Sequence, residues 1–451
     1  MLFTASELIK LFPRYQGKAP ADLEIHEVVH DSRVHSHQGL YVPIAGEKFD
    51  GHQFIEGAVK NGAVAAFWQK DTPLPENLPV SLLILFAEDT VKALQELASA
   101  YRKKVNPTVI GITGSNGKTT TKDLARAVLQ TTFKTHATQG NFNNHIGLPL
   151  TILSMAPSTE VLILEMGMNH FGEIELLSNI GQPDQAIITN IDGQHIENLG
   201  SKEGIAKAKL EIVSGIKPEG ALVIDGDEPL LTGAAVPVPK KKVGFREDND
   251  VVVRHIAVEE AVTTFEIEEE SYQIPLLGKH HAKNAAYVIQ LAYGMGIAPA
   301  TIKDAFGQLE MTKMRFEKHT GKNNITVIND AYNASPASMK ASIQVVEEMK
   351  GYQDKILILG DILELGDYAE EFHRGIADVI NSEITAVYTY GNHSHYIHDE
   401  LKRRHPGLIA VHLTEKQELM HHVEKYLQPE NLILLKASRG MRFETFLEQL
   451  C

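Results

Sequence analysis

The chain has 451 residues, 43 basic and 58 acidic, for a net charge of −15. That balance argues against a general nucleic-acid or membrane-surface binder, which would present a basic face. A single cysteine, Cys451, excludes an internal disulfide and a thiolate metal cluster, which fits a reducing compartment.

The opening "MLFTASELIKLFP" lacks the basic start and long apolar core of a signal peptide. No uncharged apolar run approaches the roughly 18 residues of a membrane helix, so a cytoplasmic chain without membrane insertion is expected. The length leaves room for about three domains of about 150 residues each. Residues 1–106 hold short apolar strands in "GLYVPIAG" and "GAVAAFW", then an amphipathic helix, "TVKALQELASAYRKKV". Asn106-Pro107 breaks the chain there, because the residue before proline avoids helix. Residues 107–314 alternate strands and helices. The runs "TVIGIT", "VLILEMG", "QAIITNI" and "GALVIDG" are continuously apolar, as in strands buried on both faces of a parallel sheet. Helices are expected over 118–129, 201–216 and 281–296, with the basic run Lys240–Lys242 as a solvated turn. Residues 250–276 alternate more like antiparallel strands. Residues 315–451 repeat the βαβ rhythm in "NITVIND", "KILILGD", "AVYTYG", "IAVHL" and "NLILLKA". The expectation is an α/β fold of three domains: a small N-terminal α/β domain, a central P-loop ATPase-type sheet and a C-terminal Rossmann-like doubly wound sheet. Ligands of such sheets sit beyond the carboxyl ends of the strands, so the polar residues just after each run carry the interest.

The strand "TVIGIT" runs into Gly114-Ser-Asn-Gly-Lys-Thr-Thr120 and a helix. Gly114 and Gly117 permit backbone angles closed to other residues. Several N–H groups then converge on an anion at a helix N-terminus. Lys118 would reach the β- and γ-phosphates, and the Thr119 hydroxyl would bind Mg²⁺. Glu165, ending the apolar run "VLILE", is a second Mg²⁺ ligand candidate. Position 112 is isoleucine, where the general phosphate-loop pattern has its first glycine.

That variant, "TGSNGKTTTK", resembles the loop of the Mur ligase family, and the resemblance covers most of the chain. "HDSRVHSHQGLYVPIAGEKFDGHQF" is similar to the family's uridine-nucleotide segment, and "GNFNNHIGLP" to its sugar-peptide loop. "LEMGMN", "NIDGQHIENLGSKEGIAKAKLEI" and "HHAKNAAY" resemble its metal, lysine and adenine motifs. "MRFE", "VINDAYNASPASMKASI" and "GDILELGDYAEEFHRGI" resemble its C-terminal domain. One departure is Ser335, where asparagine often precedes the proline. The last two segments point to the member that adds D-alanyl-D-alanine.

The resemblance implies ATP-dependent joining of D-alanyl-D-alanine to UDP-N-acetylmuramoyl-tripeptide through an acyl phosphate, in cell wall synthesis. It implies ATP and two Mg²⁺ ions, with His195 and a carbamylated Lys209 on the second ion. Lys118, His195 and Lys209 would be the catalytic set. ATP would meet Gly114, Ser115, Asn116, Gly117, Lys118, Thr119 and Thr120 at its phosphates. Asn284 would meet its adenine, Asp330 and Asn333 its ribose region, and Arg315 would clamp phosphate; an interdomain salt bridge is the other reading of Arg315. Ser32 and Arg33 would read the uridine nucleotide. Thr138, Asn141, Asn143 and Asn144 would read the sugar-peptide. Ser338 would lie near the ribose, and Lys436, Ser438 and Arg439 would suit the dipeptide carboxylate. A monomer whose third domain closes over ATP is expected. The alternatives are the third-residue-adding Mur ligase, a folate polyglutamate ligase and a GTPase-like switch. The switch would need an N-K-x-D motif, and none occurs.

Overall fold

The computed structural model describes residues 1–46, 49–259, 262–310 and 312–451. Three principal sheets follow one another along the chain. The first runs, edge to edge, through Tyr15–Gln16, Leu83–Ala87, Ala63–Gln69, Gly39–Tyr41 and Glu27–Val29. All its pairs are parallel except the short Tyr15 edge. Its core includes the chain's single tryptophan, Trp68, fully buried. The helix Thr90–Val105 starts on Asp89, whose carboxylate accepts from the Val91 and Lys92 amides. It ends at Asn106 in the left-handed conformation, one residue before Pro107. Its last turn is basic, which opposes the negative end of the helix dipole.

The second sheet is parallel from Thr135–Ala137 through Val161–Glu165, Thr108–Thr113, Gln185–Ile188, Ala221–Asp225 and Lys240–Gly244 to Val251–Glu259. Antiparallel strands Val262–Ile267 and Glu270–Ile274 extend it, as the alternating pattern there implies. The continuous apolar runs are buried on both faces: Val161 to Glu165 is buried at every position. Helices Lys118–Leu129 and Lys279–Gly294 share one face and pack on each other.

The third sheet has the order Glu317–Thr320, Thr326–Asn329, Leu432–Lys436, Lys355–Gly360, Ala386–Tyr390, Ile409–Leu413. Its first strand is antiparallel, an edge the βαβ rhythm does not announce, and the others are parallel.

Two local expectations change. Lys240–Lys242 is part of a strand, not a solvated turn. The Lys240 ammonium donates to the carbonyls of Leu231, Thr232 and Ala234 and closes off the end of a short helix. The helix expected over 201–216 is α-helical only through Lys202–Leu210 and tightens to a 3₁₀ turn at Glu211–Gly215. No helix among the described residues is long and apolar enough to cross a membrane.

One buried contact ties the second sheet to its covering helix. The Tyr287 hydroxyl, wholly buried, donates to the carbonyl of Thr189 at 2.7 Å, just beyond strand Gln185–Ile188. Tyr287→Phe leaves that carbonyl without its donor. The expected loss is about 1–3 kcal/mol in urea denaturation, with an unchanged slope.

Candidate active site

The carboxyl ends of the second and third sheets face each other across a cavity of about 1080 Å³. Its floor is the phosphate loop. Gly114 has φ +146°, and a Cβ there would lie 1.9 Å from the Thr189 hydroxyl oxygen; Gly117 has φ +79° and lies against the Asn284 amide. Both glycines are therefore required by the backbone and its neighbours. The helix Lys118–Leu129 begins at Gly117 with no side-chain cap. Among the described residues, the amides of Gly117, Lys118, Thr119 and Thr120 find no acceptor, so these donors are open to an anion. The loop is narrower than its sequence implies. The Ser115 amide donates to the Asn190 carbonyl and the Asn116 amide to the Asn190 side chain. Ser115 and Asn116 line the cavity, but their N–H groups are already engaged.

Lys118 folds back over the loop, donating to the carbonyls of Gly114 and Ser115 at 2.6 and 3.1 Å. Enclosure by protein pulls its ammonium down to about 8, against the opposing pull of Glu165. Arg315 comes from the linker into the third sheet. Its guanidinium donates to the Thr119 hydroxyl at 3.1 Å and lies 4.2 Å over the Tyr332 ring. Among the described residues it has no carboxylate partner, so the interdomain salt bridge is not formed. Glu165 is buried. One of its oxygens accepts from Asn143 at 2.9 Å, and the other has no partner among the described residues.

Lys209 is 1 % exposed and stands behind this floor rather than in the cavity lining. Burial drives its ammonium well below the ordinary lysine range, helped by the charge of Lys118 and opposed by Glu211. His195, in the left-handed region at φ 63°, lines the cavity with its Nδ1 2.5 Å from a Glu364 oxygen. Asn284, Asp330, Asn333, Asn141, Asn143, Asn144, Ser338, Lys436, Ser438 and Arg439 line the same space.

Several expected ligands prove to be engaged already. Thr138 is buried away from the cavity, and its hydroxyl accepts from the Glu165 amide at 3.0 Å, which positions that carboxylate. Lys436 is buried against Asp330 at 2.7 Å and the Asn333 carbonyl, so its ammonium is not free for a dipeptide carboxylate. Asp330 also accepts from Ser342 and from the Phe316 amide. The Ser338 side chain closes a capping box with Ser335 at helix Pro336–Glu348. The Asn144 side chain caps the turn into Gly147–Leu153. Ser438 accepts from the Leu363 amide. Ser32 and Arg33 sit on the first sheet's loops outside the cavity, with Arg33 exposed and paired to Asp31. Asn190 and Asp192, beyond strand Gln185–Ile188, Asp225, the last residue of its strand, and Glu364 and Tyr332 also line the cavity, and the sequence did not single them out.

Among the described residues no group of three or more acidic, histidine or cysteine side chains converges. The unpartnered buried oxygen of Glu165 beside Thr119 and the open amides suits Mg²⁺, which takes one or two carboxylates and completes its shell from phosphates and water.

Family models match in three successive pieces: Mur ligase family, catalytic domain over 24–102; Mur ligase middle domain over 112–292; and Mur ligase, glutamate ligase domain over 314–439. The UDP-N-acetylmuramoyl-tripeptide–D-alanyl-D-alanine ligase of Bacillus subtilis is 45% identical over 429 residues, 94% of this chain and 93% of that one. A crystal structure of MurF from Acinetobacter baumannii superposes with a TM-score of 0.88 at 27% identity, covering 99% and 98% of the two chains. The MurF ligase of Thermotoga maritima in complex with ADP gives 0.82 at 28% identity, covering 95% and 97%.

An ammonium with a pKa of about 8 is partly neutral at pH 8, and an arriving phosphate favours its charged form. Calorimetric titration with ADP at pH 8, in buffers of different ionisation enthalpy, is expected to show proton uptake. The uptake should shrink at pH 6.5 and vanish in Lys118→Met. Equal heats in all buffers at pH 8 would contradict the assignment.

Proposed function

The chain belongs to the Mur ligase family, and on that premise we propose that it joins D-alanyl-D-alanine to UDP-N-acetylmuramoyl-tripeptide, giving the pentapeptide precursor of peptidoglycan. It is an ATP-dependent ligase. The observation that carries the reading is the cavity floor: four open amides, Lys118, Arg315 and the half-satisfied Glu165 line one space. The names of relatives spanning nearly the whole chain favour D-alanyl-D-alanine over the third-residue amino acid or glutamate of the alternative ligases. A nucleotide-linked substrate and ATP suit a cytoplasmic reaction.

A carboxylate is a poor electrophile at neutral pH, so the tripeptide's terminal carboxylate needs activation. Phosphoryl transfer from ATP to a carboxylate oxygen gives an acyl phosphate and ADP. The dipeptide amine attacks the carbonyl carbon, the carbon–oxygen bond to phosphate breaks, and the nitrogen releases a proton. The chain's task is to hold anions together and stabilise their charge. The amides from Gly117 to Thr120 and the Lys118 ammonium hold the phosphates, and Arg315 neutralises the transferring group. Gly114 sets the loop's shape, and Ser115 and Asn116 fix it to the loop after strand Gln185–Ile188. Thr119 and Glu165 would hold one Mg²⁺, and His195 with a carbamylated Lys209 the other. Bound Mg²⁺ supplies Lewis-acid neutralisation between phosphate and carboxylate. Burial favours the neutral Lys209 amine, the form that can add to carbon dioxide.

Asn284 lies beside the loop for adenine, and Asp330 with Asn333 faces the ribose region, with Ser338 nearby as a helix cap. Asn141, Asn143 and Asn144 would face the sugar-peptide, with Thr138 acting behind them through Glu165. Ser32 and Arg33 would take the uridine nucleotide. Arg439, exposed at the cavity rim, is the better candidate than Lys436 for the dipeptide carboxylate, with Ser438 beside it.

Phosphate release is expected to require UDP-N-acetylmuramoyl-tripeptide and D-alanyl-D-alanine together. Release that ignores either one would overturn the proposal. With ¹³C-bicarbonate, a carbamate carbon resonance is expected in the parent and absent in Lys209→Ala. Short carboxylic acids should partly restore that variant's activity, and full unrescued activity would refute the carbamate.

A further inference from the structure

Asp192 has no role in the reading above, yet it gathers donors from both sheets. Its Oδ2 accepts from Asn116 Nδ2 at 3.0 Å on the loop side. From the third domain it accepts from the Ser335 hydroxyl at 2.9 Å and the Ala337 amide at 3.3 Å. Ser335 Oγ is also 2.9 Å from Asn116 Oδ1 and accepts from the Ser338 amide as the cap of helix Pro336–Glu348. Ser335 is 1 % exposed. Asn116 is itself fixed on its backbone side: its amide donates to Asn190, and its carbonyl accepts from Thr189 and Asn190. The residue next to the open amides of the phosphate loop is therefore bonded directly to the cap of the helix that follows strand Thr326–Asn329 of the third sheet.

We propose that Asp192 and Ser335 are positioning residues that latch the third domain to the phosphate loop through Asn116, so that Arg315 reaches Thr119 and the phosphates only when the latch is made. Three features support it. A carboxylate at the start of a 13-residue helix is favoured by the helix dipole. A hydroxyl donating to an ionised acceptor makes a stronger bond than one to a neutral amide. Two further polar contacts between these domains, His195 to Glu364 and the Tyr368 hydroxyl to the Gly200 carbonyl, involve more exposed partners than the buried Ser335. This also gives Ser335 a purpose at the position where the family often has asparagine. Serine is short enough to cap its own helix and reach Asp192 together.

The inference rests on the ligase reading only for its kinetic arm. Ser335→Asp retains a good helix cap but sets two carboxylates against each other. With an ATP analogue alone present, its small-angle scattering radius is expected to exceed the parent's. Its kcat should fall about ten- to a hundredfold, the loss of one charge-assisted hydrogen bond, while ADP affinity stays near the parent's. Adding Asp192→Asn removes the repulsion and should restore both readouts, and Ser335→Asn should retain them. A Ser335→Asp chain that docks and turns over like the parent overturns the latch. So does a loss of folding that Asp192→Asn fails to repair. A parent that needs neither substrate for phosphate release would instead refute the ligase reading, and the scattering comparison would still decide the latch.

Discussion

The site depends on a division among the amides of one loop. Ser115 and Asn116 donate theirs to Asn190, which fixes the loop to the neighbouring strand's end. Gly117 to Thr120 keep theirs free because the following helix starts without a side-chain cap. A serine or aspartate cap would satisfy the same donors and stabilise the free protein. Glycine leaves them unsatisfied at some cost in stability, which a phosphate bound as proposed would offset. The close approach of Gly114 to Thr189 makes both halves of this arrangement possible, since a side chain there would push the loop off the strand.

The same logic extends to charge. Lys118 feels the pull of the buried Glu165 and the repulsion of Arg315, Lys209 feels Lys118 and Glu211, and burial depresses both lysines. Enclosed cations without partners are unfavourable in an empty site. In the proposed reaction, phosphates and a substrate carboxylate would reverse that balance and direct binding energy to the point where negative charge accumulates during transfer. The Asp330–Lys436 pair has the opposite character. It is neutralised within the chain and shapes the cavity wall without offering a charge to a ligand.

Much of this was legible in the sequence because strand ends and glycine spacing are local properties. Buried runs gave the two large sheets, and Gly114, Gly117, Lys118 and Glu165 followed from their places after those runs. Directions of hydrogen bonds were not legible. Thr138 looks like a substrate contact in the sequence, but parallel pairing of Thr135–Ala137 with Val161–Ile163 turns its hydroxyl toward the Glu165 amide. Lys436 looks free until the pairing of Thr326–Asn329 with Leu432–Lys436 brings it beside Asp330. Lys209 gave no local sign beyond a helix lysine. Its burial arises from packing between elements far apart in sequence, and only the family resemblance singled it out.

The linker into the third domain shows how such a site is kept in register. Arg315 stands between Met314 and Phe316, both at positive φ, a conformation that costs non-glycine residues about 1–3 kcal/mol each. The strain is held by carboxylates on the surrounding backbone amides: Asp123 accepts from Thr312, Glu317 from Met314 and Asp330 from Phe316. Asp123 lies on the phosphate-loop helix and Asp330 at the end of a third-sheet strand, so the segment is fastened to both domains at once. A guanidinium on a flexible linker would pay its ordering entropy at every turnover. Here that ordering is built into the fold, and the two domains need only meet for the charge to arrive in place.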